Sequence, residues 1–339
     1  MRSSTPREHA PRVLIVAPAW VGDMVMAQVL VPILKARDPE PEVVMIAPQA
    51  TAPLARRMPG VASVQVLDIA HGELGVRRRL RVARSLREQR FDQAIVLPNS
   101  HKSAWIPWLA RIPLRTGWLG EHRFGVLNDW RRLVPATLPR MVDRFAALGT
   151  ARSVSPPVTP TPRLAPDGNA QRALLDRLAL DTGVQGPVVL CPGAEYGPAK
   201  RWPVHHFATV ARRCLERGEA VWLLGSPKDQ PLTAAIAAAA PGAVDLGGRT
   251  SLTDAVDLLA LARVVVSNDS GLMHVAGALG RRVVGLYGSS SPAFTPPLAE
   301  AAVVLAEELA CRPCFARECP LGHLHCLENL SPERVVAVL

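Results

Sequence analysis

Short apolar runs alternate with helical patterns through nearly the whole chain, and this alternation narrows the possible folds more than any other feature. In the first half, VLIVA (Val13 to Ala17) leads to a helix expected from about Asp23 to Lys35; EVVMIAP follows as a second strand and FDQAIVLPN as a later one. In the second half, PVVLCPG precedes a helix through Ala211 and Leu215, and AVWLLGS, Val264 to Asn268 and VVGLYGS read as further strands. Strands spaced by helices imply parallel, doubly wound sheets. Between the halves, SVSPPVTPTPRLAP (Ser153 to Pro166) is rich in proline and poor in core-forming residues, as a linker is. The expected architecture is α/β: two Rossmann-like domains, 12–155 and 168–339, a Pro-rich linker at 156–167, and a central cleft faced by strand C-termini and helix N-termini.

At 339 residues the chain is long enough for two such domains. No apolar run reaches the length of a membrane span, and Val13 to Ala17 is too short for a signal-peptide core. A cytoplasmic chain with six reduced cysteines is therefore expected. Residues 1–150 hold 22 Lys+Arg against 12 Asp+Glu, whereas residues 151–339 hold 17 of each, so the whole +10 charge lies in the first half. That half has either a solubilising basic face or an acidic partner: nucleic acid, an anionic membrane surface or a phosphorylated glycolipid. His71 to Arg90 carries seven arginines, with Val76, Leu80, Ala83 and Leu86 at helical spacing, which predicts an amphipathic helix with a cationic face. Base-stacking aromatics are sparse there, so no nucleic-acid partner is expected.

Several loops carry candidate chemistry. NDSGLMHVAGALG, Asn268 to Gly280, follows a strand and opens a helix, so that Ser270 and Gly271 aim backbone N–H groups and a helix dipole at one spot suited to phosphate; Asp269 and His274 flank it. CPGAEYGPAKRWP, Cys191 to Pro203, also leaves a strand; Lys200 suits a diphosphate and Glu195 a sugar or ribose hydroxyl, unless both are ordinary solvated loop charges. In PAWVGDM, Asp23 is either a helix-capping aspartate or a cleft-facing general base. No GxGxxG follows that first strand, which argues against a dinucleotide oxidoreductase. Gly225, Ser226 and Gly247 are candidates for a nucleoside pocket, although turn chemistry explains them equally well, as it does Ser251 with Asp254. Lys102, Arg115 and Arg123 are candidate acceptor contacts in the basic half. Near the end, Cys311, Cys314, Cys319 and Cys326, with His323 and His325, could hold a structural zinc, but C-x2-C-x4-C-x6-C fits no common finger pattern well and reduced thiols are the default.

Taken in order, PAWVGDMVMAQ, LPNSHKSAW, RTGWLGE, LLGSPKD, CPGAEYGPAKRWP, NDSGLMHVA and GSSSPAFTPPL resemble the ADP-heptose:lipopolysaccharide heptosyltransferases of glycosyltransferase family 9, from Pro11 onwards. PAWVGDM and LPNSHKSAW favour the type II branch over type I. The resemblance implies a GT-B fold whose first domain takes the acceptor, heptosyl-Kdo2-lipid A, and whose second takes ADP-heptose. It implies an inverting displacement with Asp23 as general base. Glu195 and Lys200 would be donor-site residues, with Asp269, Ser270, Gly271 and His274 around the heptose and diphosphate and Asp269 touching the transferred sugar. No cofactor is implied; the chain contains no DxD, the metal-binding signature of the other large glycosyltransferase fold. The anionic acceptor and membrane would suit the basic half, with the protein peripheral on the inner membrane. The rivals are a family 9 enzyme with another acceptor, a sugar-nucleotide epimerase of GT-B-like fold, and a non-catalytic sugar-nucleotide binder. The first ten residues have no counterpart in these motifs, and a closing helix after SPERVVAVL is expected to be short.

Overall fold

Twelve short strands form two separate sheets in the computed structural model, which describes residues 10–69, 73–152, 154 and 158–339. The chain divides into two compact units, one ending at Pro160 and the other beginning at Thr161. Residues 156 and 157 of the expected linker, and His71 of the basic segment, lie outside the described residues. The described linker is largely exposed but anchored at two points: Thr159 Oγ1 donates to Asp143 in the first unit, and Leu164 is buried in the second with its N–H bonded to Ala278 O.

The first sheet comprises β1 (Arg12–Val16), β2 (Glu42–Pro48), β3 (Val61–Leu67), β4 (Gln93–Val96), β5 (Leu114–Trp118) and β6 (Asp129–Arg131), in the order β3-β2-β1-β4-β5-β6. The second comprises β7 (Val188–Cys191), β8 (Val221–Leu223), β9 (Val244–Asp245), β10 (Val264–Asn268), β11 (Arg282–Tyr287) and β12 (Ala302–Ala306), in the order β12-β11-β10-β7-β8-β9. Every pairing is parallel. Counted from the first strand of each unit, both orders are the doubly wound 3-2-1-4-5-6, so the predicted α/β class holds. The strand order reverses between β1 and β4 in one unit and between β7 and β10 in the other, and ligands of such sheets bind at that reversal, beyond the carboxyl ends of the strands.

The central strands β4, β7 and β10 are fully buried and mostly aliphatic, with Gln93, Cys191, Ser267 and Asn268 as their non-aliphatic members, as parallel sheets covered on both faces require. In the second unit the helix Val204–Glu216 lays Phe207, Val210, Ala211 and Cys214 on the sheet. The closing helix, Pro332–Val336, packs against it and is short, as expected.

Two helical expectations are corrected. The helix expected from Asp23 to Lys35 is two, Val21–Ala27 and Leu30–Lys35. Pro32 has no N–H to give to Gln28, and the chain tightens there into i−3 bonds, Val29 N to Met26 O and Val31 N to Gln28 O. The basic helix forms as Val76–Glu88, but its buried face is Arg79, Ala83 and Leu86, while Val76 and Leu80 are exposed. Arg79 is accommodated because its guanidinium donates to Leu74 O and Lys102 O.

Candidate functional site

Four of the motif loops leave the four strands that flank the two reversals. Asp23 follows β1 and Lys102 follows β4 in the first unit; Glu195 and Lys200 follow β7, and Asp269 follows β10, in the second.

In the second unit the β7 and β10 loops meet. The short helical turn Pro198–Lys200 points Lys200 Nζ at Asp269 Oδ2, 2.6 Å away, and only 3% of the Asp269 side chain is exposed. Thr295, in the loop after β11, donates its hydroxyl to the same carboxylate at 3.3 Å, and its carbonyl accepts the Tyr287 Oη proton at 2.6 Å. Burial, and then the charge of Asp269, raise the Tyr287 pKa well above its ordinary value, so the phenol stays protonated and donating. His274 Nε2 stands 3.8 Å from Asp269 Oδ1, too far for a hydrogen bond. Burial holds its pKa below the ordinary value against the pull of Asp269, so the imidazole is neutral. Its Nδ1 has no partner among the described residues.

Asn268 ties the two loops together: its Oδ1 accepts from Trp202 N and its Nδ2 donates to Pro192 O. Beyond it, Ser270 is the extended N-cap of the helix Gly271–Ala278, with no side-chain cap bond; its hydroxyl pairs with Ser267 Oγ instead. The first-turn N–H groups of that helix have no intrahelical acceptor and face the same end of the sheet as Lys200.

The other second-unit positions lie along this carboxyl edge. Glu195 is half exposed and pairs with Lys228 at 2.5 Å, not with Lys200. Ser226 and Asp229 form a capping box, and a Cβ at Gly225 would meet Asp229 while one at Gly247 would collide with Thr233. The turn chemistry allowed for these residues is thus present, and Ser251 with Asp254 forms a second capping box.

In the first unit, Asp23 stands in the first turn of its helix and is not the cap, which is Trp20 in extended conformation, so the capping alternative is set aside. Arg123 is a correction. It has no exposed surface, and its guanidinium is spent on Pro98 O, Trp118 O, Ser103 Oγ and Asn99 Oδ1, with burial lowering its pKa to about 10. It shapes the loop after β4 from beneath. Arg115 is likewise committed, to Val126 O and Ile112 O. Lys102 lies half-buried in the turn His101–Ala104.

The cysteine-rich tail is fastened to the loops after β7 and β11 by other groups. Arg312 donates to Gly288 O, Glu307 O and Ser290 O, and Phe315 N donates to Ser289 O. Tyr196 Oη donates to Phe315 O at 2.6 Å, and Ala199 N to Arg317 O at 3.0 Å. Gly197 carries no side chain where a Cβ would strike Arg317 O. All four tail cysteines are free thiols, and among the described residues no three His, Cys, Asp or Glu side chains stand together as a metal site. Tyr196, Lys228, Thr295 and the tail contacts were not singled out from the sequence as site residues. Tyr196, Lys228 and Thr295 do lie within motifs quoted for the resemblance, but nothing local marks their partners.

The family model for glycosyltransferase family 9 (heptosyltransferase) matches residues 79–325. The chain belongs to that family. It is 41% identical over 338 residues, 97% of both chains, to lipopolysaccharide heptosyltransferase 2 of Salmonella typhimurium. It is 43% identical over 305 residues to lipooligosaccharide heptosyltransferase 2 of Haemophilus influenzae, covering 86% of this chain and 88% of that one. Its structure superposes on E. coli ADP-heptose lps heptosyltransferase II with a TM-score of 0.86 at 38% identity, covering 96% of this chain and 97% of that chain. This family 9 chain is a glycosyltransferase of GT-B-like fold.

Proposed function

We propose that this glycosyltransferase moves L-glycero-D-manno-heptose from ADP-heptose to the first heptose of heptosyl-Kdo2-lipid A, with inversion, in the inner core of lipopolysaccharide. Its heptosyltransferase 2 relatives supply the substrate class. The observation that carries the donor side is the Lys200–Asp269 pair beside an uncapped helix N-terminus, at the sheet reversal of the second unit.

In this reading the Asp23 carboxylate takes the proton of the acceptor hydroxyl. The freed oxygen bonds to the anomeric carbon as the bond from that carbon to the β-phosphate oxygen breaks, and its electron pair leaves with ADP. The Lys200 ammonium and the Gly271–Ala278 helix N-terminus stabilise the charge arriving on the diphosphate. Asp269 orients Lys200 and Thr295 and faces the transferred sugar; Glu195 with Lys228, and the loops at Gly225, Ser226 and Gly247, take the nucleoside. Lys102 is the acceptor contact kept from the three basic candidates. The basic first unit sits against the anionic cytoplasmic face of the inner membrane. No cofactor takes part in the transfer.

The test is to incubate the protein with ADP-heptose and heptosyl-Kdo2-lipid A and weigh the glycolipid by mass spectrometry. One added heptose, lost in Asp23→Ala with ADP binding retained, supports the reading. Isomerised nucleotide sugar without acceptor would make the protein an epimerase, and binding without turnover would make it a non-catalytic binder.

A further inference from the structure

The Lys200 ammonium is already matched by a carboxylate 2.6 Å away, so the pair contributes little net positive charge to the site. A diphosphate brings two to three negative charges, and a helix N-terminus offers only about half a charge. An uncompensated cation is therefore wanted close by. Arg317 is one. Its side chain is exposed, and among the described residues its guanidinium has no carboxylate or hydrogen-bond partner. It rests over the Tyr196 ring, Cζ 5.2 Å from the centroid, and the same ring carries Lys200 Nζ at 5.0 Å.

We propose that Arg317 is a second cation of the diphosphate site, delivered by the cysteine-rich tail. This rests on the donor-site reading above. The backbone at Arg317 is held on the Lys200 loop by the Ala199 N–H and by the close approach at Gly197, while its side chain is held only by an aromatic face. An exposed cation–π contact is weak, and a charge-assisted bond to a phosphate oxygen is stronger. Tyr196 thus parks the guanidinium beside Lys200 until an anion arrives, and the planar fork can then grip two phosphate oxygens where Lys200 offers a point charge.

The test measures ADP binding by calorimetry, and adenosine binding by displacement, on the full chain and on Arg317→Ala, Arg317→Lys and Lys200→Ala, with Lys200→Gln, whose amide can still pair with Asp269, added as a second Lys200 control should the first be unstable. Arg317→Ala should weaken ADP about 10-fold, leave adenosine unchanged and flatten the salt dependence of ADP binding; Arg317→Lys should recover part of the loss. ADP affinity within about twofold of the unaltered protein in Arg317→Ala, while the Lys200 variants lose it, overturns the proposal. Equal loss of ADP and adenosine overturns it too, since the defect would then lie in pocket shape. If the Lys200 variants also bind ADP normally, the donor-site reading itself fails and this proposal falls with it.

Discussion

Lys200 and Asp269 are one unit energetically. Lys200→Ala leaves a buried carboxylate with, among the described residues, only the Thr295 hydroxyl as a hydrogen-bond partner and should cost about 3 kcal/mol of stability, while adding Asp269→Asn should restore most of it; urea midpoints check both. His274 adds a pH term. Its native pKa is depressed below 6.5, so the unfolded chain takes up the proton first and stability falls as pH drops below about 6.5 toward the native value. His274→Gln should flatten the urea midpoint over that window, and a slope like that of the unaltered protein would remove His274 as its source. The positions of Asp23, Lys200 and Asp269 at strand ends were legible because strand, turn and helix start are local patterns. The pairing of Lys200 with Asp269 spans 69 residues, and three of the four partners that bury Arg123, Pro98 O, Asn99 Oδ1 and Ser103 Oγ, lie 20 to 25 residues away, so neither leaves a local trace.

At the scale of elements, the loop Cys191–Pro203 has two sides. One is bound to β10 through Asn268, the other to the tail through Tyr196 and Ala199. Gly197→Ala would drive a methyl into Arg317 O and should loosen the tail without unfolding the sheet. Limited trypsin digestion should then cut after Arg317 at least several-fold faster, with ADP affinity falling in parallel; an unchanged rate would show the contact to be dispensable. The basic helix shows where periodicity misleads. Apolar spacing favoured Val76 and Leu80, but Arg79 found two carbonyls to satisfy it and took the inner face, which leaves apolar and cationic side chains mixed on the outer one.

For the molecule as a whole, the outward arginines of that helix, among them Arg77, Arg81 and Arg84, concentrate the charge surplus of the first unit. On the membrane reading proposed above, the chain should sediment with vesicles rich in phosphatidylglycerol at low salt, and reversing these three to Glu should abolish that and leave ADP binding intact; no sedimentation of the unaltered chain, or equal sedimentation of the variant, would overturn the role of this helix. Elemental analysis of the purified chain decides the zinc expectation, near-stoichiometric metal supporting it and its absence leaving reduced thiols. The two-sheet plan was readable from alternation alone, whereas strands as short as β6 and β9 were not, since two or three residues carry no period.

The bracing of Tyr196 by Phe315 and of Trp202 by Leu330 has a consequence in time. A ribosome releases the loop Cys191–Pro203 first and its supports 119 and 128 residues later. The first unit can fold while the rest is still being made. The loop Cys191–Pro203 has this bracing only after Leu330 emerges, so a nascent chain still short of that residue would hold the loop less firmly and, in the donor-site reading proposed above, would be a poor scavenger of ADP.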